Sequence, residues 1–152
     1  MLLGGCVVKL CVYSRAEIEA GILVESDYVM ISIHDPDKRP ANVPRQTGLR
    51  GVLVLSFHDA DPTAYTTLSP EVRVMTPDQA AKVWDFIDQH RADVGAIVVH
   101  CEGGFSRSPA VAAAIAEGLG LDPRRFWQEY TPNQHVYHTM LDSFEARRAN
   151  RK

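Results

Sequence analysis

No stretch of this chain stays apolar for the length of a bilayer span, so the sequence offers no transmembrane helix. It has no surplus of positive charge either. Lys and Arg number 16 against 19 Asp and Glu, a formal net charge of −3, and a nucleic-acid binder would need a basic face. Cysteine is scarce and odd in number, with three residues at Cys6, Cys11 and Cys101. That count argues against a disulfide framework and for a reducing, cytoplasmic setting. The apolar start, Met1-Leu2-Leu3-Gly4-Gly5-Cys6-Val7-Val8, lacks the basic residues of a secretory signal and is not read as one. Internal repeats and low-complexity tracts are absent as well. What remains is an ordinary composition, 45% hydrophobic and 23% charged, over 152 residues, and a single domain spanning 1–152 is expected.

Strand and helix patterns alternate. Lys9-Leu10-Cys11-Val12-Tyr13 reads as a strand, and Ser14-Arg15-Ala16-Glu17 has the form of a capping box opening a short helix that stops at Gly21. Tyr28-Val29-Met30-Ile31-Ser32-Ile33 is a second strand. His34 to Gly48, rich in Pro, Asp and basic residues, reads as a loop and is the expected mobile segment. Gly51-Val52-Leu53-Val54-Leu55-Ser56-Phe57 is apolar throughout, so burial on both faces is expected. Thr76-Pro77-Asp78-Gln79 starts a helix that runs to about His90. A buried strand, Ala96-Ile97-Val98-Val99, precedes an alanine-rich helix from Pro109 that stops at Gly118 or Gly120. Asp122-Pro123 starts a short helix through Tyr130, and Pro132-Asn133 precedes a last one with Val136, Met140, Leu141 and Phe144 on one face. This order predicts an α/β fold: a mostly parallel central sheet flanked by helices, with the site beyond the strand ends.

The segment His100-Cys101-Glu102-Gly103-Gly104-Phe105-Ser106-Arg107-Ser108 lies between that last strand and the alanine-rich helix. Strand, tight loop and helix start together bind an oxyanion, because the first turn of a helix has free N–H groups and a positive dipole end. Glycines let successive amides turn inward as a nest. Cys101 sits at the base of the loop, where converging amides favour the thiolate. Arg107 closes the loop with a planar fork matched to two oxygens of one phosphate. Glu102, Gly103, Gly104, Phe105, Ser106 and Arg107 are the expected phosphate-binding residues, and Cys101 is placed for in-line attack on phosphorus.

These residues resemble the signature of the cysteine-dependent protein tyrosine phosphatases, H-C-x-x-G-x-x-R-S/T, and more narrowly its compact dual-specificity branch. His100, Cys101, Gly104, Arg107 and Ser108 fill every fixed position. Val83-Trp84-Asp85-Phe86-Ile87-Asp88-Gln89 resembles the helix that precedes the signature strand there, and the specific resemblance runs from roughly Gly51 to Leu119. It implies a histidine that orients the loop, here His100. Ser108 either donates to the Cys101 sulfur or caps the helix. It also implies an aspartate general acid on a loop after an earlier strand, upstream of the cysteine. Asp59, directly at the strand exit beside His58, matches better than Asp61, which precedes proline and could equally be a turn residue; Asp35, Asp37 and Asp78 are more remote choices.

No metal and no cofactor are expected. His135 and His138, three apart on a helix, are a weak ligand signal without partners. Cys6 and Cys11 are most simply a terminal and a strand cysteine, with a redox partnership to Cys101 left open. No basic residue lies between Cys101 and Arg107, which favours a phosphorylated protein or peptide over inositol lipids or RNA ends. The short chain leaves little material to deepen the pocket, so phosphoserine and phosphothreonine are expected substrates beside phosphotyrosine. A sulfur-transfer or arsenate-reducing enzyme with the same loop, and a catalytically silent phosphate-binding module, are the alternatives. The sequence does not set the oligomeric state.

Overall fold

The computed structural model describes residues 8–62 and 68–150, and Cys6 lies outside them. Among these residues the strands β1 (Lys9–Ser14), β2 (Tyr28–His34), β3 (Leu49–Ser56) and β4 (Ala96–Cys101) form a sheet of four in the order β1-β4-β2-β3. Every pairing is parallel. The helices are α1 (Arg15–Ala20), α2 (Pro77–His90), α3 (Arg107–Gly118), α4 (Arg124–Glu129) and α5 (Gln134–Asn150). Capping boxes open α1 and α2 as the sequence implies, with Ser14 bonded to Glu17 and Thr76 to Gln79 in both directions. No helix among the described residues is long and apolar enough to cross a membrane.

The two middle strands, β2 and β4, are buried at every position, as their apolar runs demand. The strand period of two divides their side chains between the faces. Val29, Ile31, Ile33, Ile97 and Val99 pack with α2, α3 and α5 in the larger cluster, while Tyr28, Met30, Ala96 and Val98 meet Ile18 of α1 on the other face. Trp84, among the largest fully buried side chains, keeps its polar atom satisfied by donating from Nε1 to the Met140 carbonyl at 2.9 Å. Helix α3 runs through the middle of the larger layer. Every residue from Arg107 to Ala116 is buried, which the small alanine side chains permit against neighbours on all sides. The chain leaves α3 through Gly120 at φ +75°, and Leu121 N–H returns to the Ala116 carbonyl.

One expectation needs correction. Strand β3 is an edge strand, not one covered on both faces. Leu53 and Leu55 turn toward the core while Val52 and Val54 on the opposite face are 38% and 48% exposed, so a continuous apolar run here did not mean double burial. Several hydrogen bonds join the loop from His34 to Gly48 to α1 and to Ile22 just past it. Arg15 donates to the Arg39 and Pro40 carbonyls at 2.8 and 3.1 Å, Asn42 N–H bonds Glu19 at 2.9 Å, and Gln46 bonds the Ile22 carbonyl at 2.7 Å. Polar residues that read as solvent-seeking in sequence are here the ties between loop and α1.

Candidate active site

Because all strands are parallel, their carboxyl ends share one edge of the sheet. The exits of β2, β3 and β4 therefore bring Asp35, Asp59 and Cys101 to the same rim. From Cys101 the chain makes a tight loop and enters α3 at Arg107. Three backbone donors from outside hold that loop. Arg15 N–H bonds the Glu102 carbonyl, Thr131 N–H the Phe105 carbonyl and Asn133 N–H the Ser106 carbonyl, each at 3.0 Å. A trans peptide points its N–H opposite to its C=O, so drawing these carbonyls outward turns the amides of Gly103, Ser106 and Arg107 inward. Gly104 is required on two grounds. Its φ is +77°, and a Cβ there would lie 3.0 Å from the backbone of Tyr13 and Ser14.

Cys101, 2% exposed, sits at the floor of this nest. Its Sγ accepts from Gly104 N–H at 3.3 Å and lies 3.1 Å from Ser108 Oγ. Ser108 is inside α3 rather than at its cap, and its hydroxyl contacts the Cys101 sulfur. Arg107 is 4% exposed and donates from Nη1 to both Asp35 Oδ1 at 2.7 Å and the Phe57 carbonyl at 2.8 Å. Its Nε is buried without a partner among the described residues. A buried guanidinium N–H without a partner among the described residues, on the helix that follows the loop, is a donor of the kind a tetrahedral oxyanion satisfies.

His100 is fully buried, with Nε2 2.6 Å from Ser32 Oγ and Nδ1 3.2 Å from the Cys101 carbonyl. Burial pushes its pKa below the usual imidazole value, against the opposing pull of the Cys101 carbonyl, so the ring is neutral at pH 7. Glu102 turns away from the nest. Its carboxylate pairs with Arg15 at 3.0 Å and with Lys38 at 3.6 Å. Phe105 stands out into solvent at 67% exposure.

Asp59 comes to the loop directly. Oδ1 accepts from Ser106 Oγ at 2.7 Å and from Asn133 Nδ2 at 2.9 Å. Asp35 is tied to Arg107 and, through Oδ2, to Lys38 at 3.6 Å. Burial would raise the Asp35 carboxyl, but the Arg107 bond and the nearby positive charges outweigh it and hold its pKa below the ordinary range. A carboxyl so held is ionised at neutral pH and ill-suited to donate a proton. Asp37 faces His58 at 3.6 Å, and Asp78 lies in the first turn of α2.

Sequence reasoning missed Asn133. It was read only as the residue before a helix, yet its side chain caps α5 through Val136 N–H at 3.0 Å while its amide holds both Asp59 and the Ala60 carbonyl. Ser32 and the Arg15–Glu102–Lys38 chain were also unmarked. The thiols of Cys11 and Cys101 are not redox partners in this fold. Cys11 lies opposite Val98 and Cys101 opposite Ser14, which separates them by roughly 10 Å along the strands. Burial pushes the Cys11 thiol pKa up. His135 is engaged with the Met75 carbonyl at 2.9 Å.

No protein-family profile matches the chain, and no curated protein matches it in sequence. Solved structures do. Human tyrosine phosphatase-like serine/threonine/tyrosine-interacting protein superposes with a TM-score of 0.53 at 25% identity, over 80% of this chain and 78% of that one. Human DUSP28 gives 0.57 at 19% identity, over 95% and 97%. PTPMT1 in complex with PI(5)P gives 0.51 at 15% identity, over 82% and 81%. The chain has the fold of the dual-specificity branch of the cysteine-dependent protein tyrosine phosphatases.

Proposed function

We propose that this protein is a metal-independent phosphatase that hydrolyses phosphotyrosine, and also phosphoserine and phosphothreonine, esters of proteins through a phosphocysteine intermediate. The observation that supports this reading is the constellation at the end of β4: a sulfur that accepts from a loop amide, followed by Arg107, whose buried Nε has no partner among the described residues. A phosphate dianion held by the Gly103, Ser106 and Arg107 amides and the arginine fork presents phosphorus to Cys101 Sγ. The S–P bond forms as the P–O bond to the leaving group breaks, and Asp59 gives that oxygen its proton. Water then attacks phosphorus, Asp59 takes a proton from it, and the thiolate departs with Ser108 donating to the sulfur. Nest, guanidinium and thiolate together supply the anion stabilisation and nucleophile that metal ions supply elsewhere.

The site's charge favours protein substrates. The loop side chains from Glu102 to Ser106 include no cation, and the cations paired with Glu102 are also held by other carboxylates, Lys38 by Asp35 and Arg15 by Glu19. A polyanionic headgroup such as that of PI(5)P, bound by PTPMT1, would meet carboxylates at this rim. The test is turnover of para-nitrophenyl phosphate, phosphopeptides and phosphoinositides, with and without chelator, by the parent and Cys101→Ser. The parent should turn over the aryl phosphate and the peptides and be indifferent to chelator. Cys101→Ser should be inactive while still binding phosphopeptide. Absence of phosphatase turnover, with sulfur transfer or arsenate reduction in its place, would move the protein to one of those classes; oxyanion binding with no turnover at all would make it a silent module.

A further inference from the structure

Arg107 has five N–H donors, and its surroundings use them unequally. Both hydrogens of Nη1 are taken, one by Asp35 Oδ1 at 2.7 Å and the other by the Phe57 carbonyl at 2.8 Å. The Nε hydrogen, on the other side of the plane's fork, is buried and has no partner among the described residues. A guanidinium binds a phosphate in two-pronged fashion through one edge at a time. Fixing Nη1 therefore selects the Nε–Nη2 edge for the ligand. The Phe57 carbonyl belongs to the backbone just past β3 and comes with the fold, whereas Asp35 is a side chain, only 20% exposed, at the exit of β2.

Asp35 is itself held. Its second oxygen pairs with Lys38, Lys38 pairs with Glu102 of the phosphate loop, and Glu102 pairs with Arg15 of α1. A chain of alternating charges thus runs from α1 across the loop to Arg107. Its members come from different elements, and each anchors the next.

We infer that Asp35 is a positioning residue for phosphate binding, which locks Nη1 of Arg107 so that the Nε–Nη2 edge faces the oxyanion before the ligand arrives. This inference deepens the phosphatase reading and rests on the same site, but its key measurement does not need turnover. Electrostatics gives the test a sign. A carboxylate that merely sits near a phosphate site repels it, so removing the charge would tighten oxyanion binding. A carboxylate that preorganises the arginine has the opposite effect when removed, since the oxyanion must then order the guanidinium on binding.

The experiment is calorimetric titration with tungstate, a tetrahedral oxyanion, of Cys101→Ser and Cys101→Ser/Asp35→Asn, with thermal melting to establish folding. Asp35→Asn should weaken tungstate about tenfold. In a Cys101→Ser/Arg107→Lys background the same change should have less than about twofold effect, because the fork it positions is gone. Asp35→Glu keeps the charge and displaces it by a methylene, so it should weaken tungstate less than Asn does, by about threefold. In the Cys101 parent, Asp35→Asn should raise KM for an aryl phosphate and lower kcat as well. Unchanged or tighter tungstate binding by a folded Asp35→Asn overturns the inference. If that variant does not fold, unchanged binding by Asp35→Glu overturns it equally. Should the parent show no phosphatase turnover, the reaction proposed above fails while the tungstate result still decides the role of Asp35.

Discussion

Ser108 Oγ lies 3.1 Å from Cys101 Sγ, on the first turn of the helix that the phosphate loop leads into. In the proposed reaction the anion is held by amides and Arg107, so a hydroxyl in that place has little to do for binding. Its contribution in that reaction is to the sulfur as leaving group. Ser108→Ala should therefore slow hydrolysis of the phosphocysteine more than its formation. A hydrogen bond to a charged group is worth about 1.5–3 kcal/mol, or roughly ten- to a hundredfold in rate. Rapid-mixing kinetics with para-nitrophenyl phosphate should show a burst of nitrophenol in the variant followed by a slower steady state. A variant slowed equally in both phases would place Ser108 outside the second step.

Arg107→Lys tests the geometry of the fork rather than its charge. A lysine ammonium can reach neither Asp35 and the Phe57 carbonyl nor two phosphate oxygens at once. The expected fall in kcat is on the order of a hundredfold or more, as for loss of a preorganised donor. A drop below about threefold, under 1 kcal/mol of barrier, would contradict a role in the transition state.

Asp59 and Asn133 form one unit, because Asn133 Nδ2 holds Asp59 Oδ1 at 2.9 Å. Asp59→Asn should cut kcat about a hundredfold or more on alkyl phosphates and far less on activated aryl phosphates, which leave without a proton. The alkaline limb of its kcat/KM profile should disappear while the acid limb stays. Asn133→Ala should show the same leaving-group dependence in weaker form. Asp61→Asn is the control and should show none. A reversed outcome for the two aspartates would make Asp61 the acid.

His100 predicts an acid-side loss of stability with a defined sign. Burial lowers its proton affinity in the folded state, so the unfolded chain protonates first, near the ordinary 6.5. The contribution is intact above that pH and is lost as pH falls toward the lowered folded pKa. Thermal melts from pH 7 to 5 should show a falling Tm for the parent and a flatter line for His100→Asn. Equal slopes would mean that His100 is not the group responsible. Asp35 acts in the same direction at lower pH, below the usual 3.8, as its bond to Arg107 is protonated away.

Much of this was legible in the chain itself, for local reasons. The capping residues Ser14 and Thr76, the runs that became β2 and β4, and the signature from His100 to Ser108 all depend on neighbours in sequence. Asp59 could be marked because a strand exit was visible just before it. Asp35 stands at a strand exit too, but its contact with Arg107 depends on β2 lying next to β4, and that order is a property of the sheet. Asn133 was less visible still. It touches Asp59 across 74 residues of chain, and nothing in its surroundings separates it from an ordinary helix cap.

The covalent intermediate offers the most direct test. The parent and Ser108→Ala should be mixed with a phosphotyrosine peptide, quenched in acid within the first turnovers and digested for mass spectrometry. One phosphoryl group should be found on the peptide carrying Cys101, more in Ser108→Ala than in the parent and none in Cys101→Ser. Turnover that leaves no phosphoryl group on Cys101 in either active form, or that places it on another residue, contradicts the mechanism.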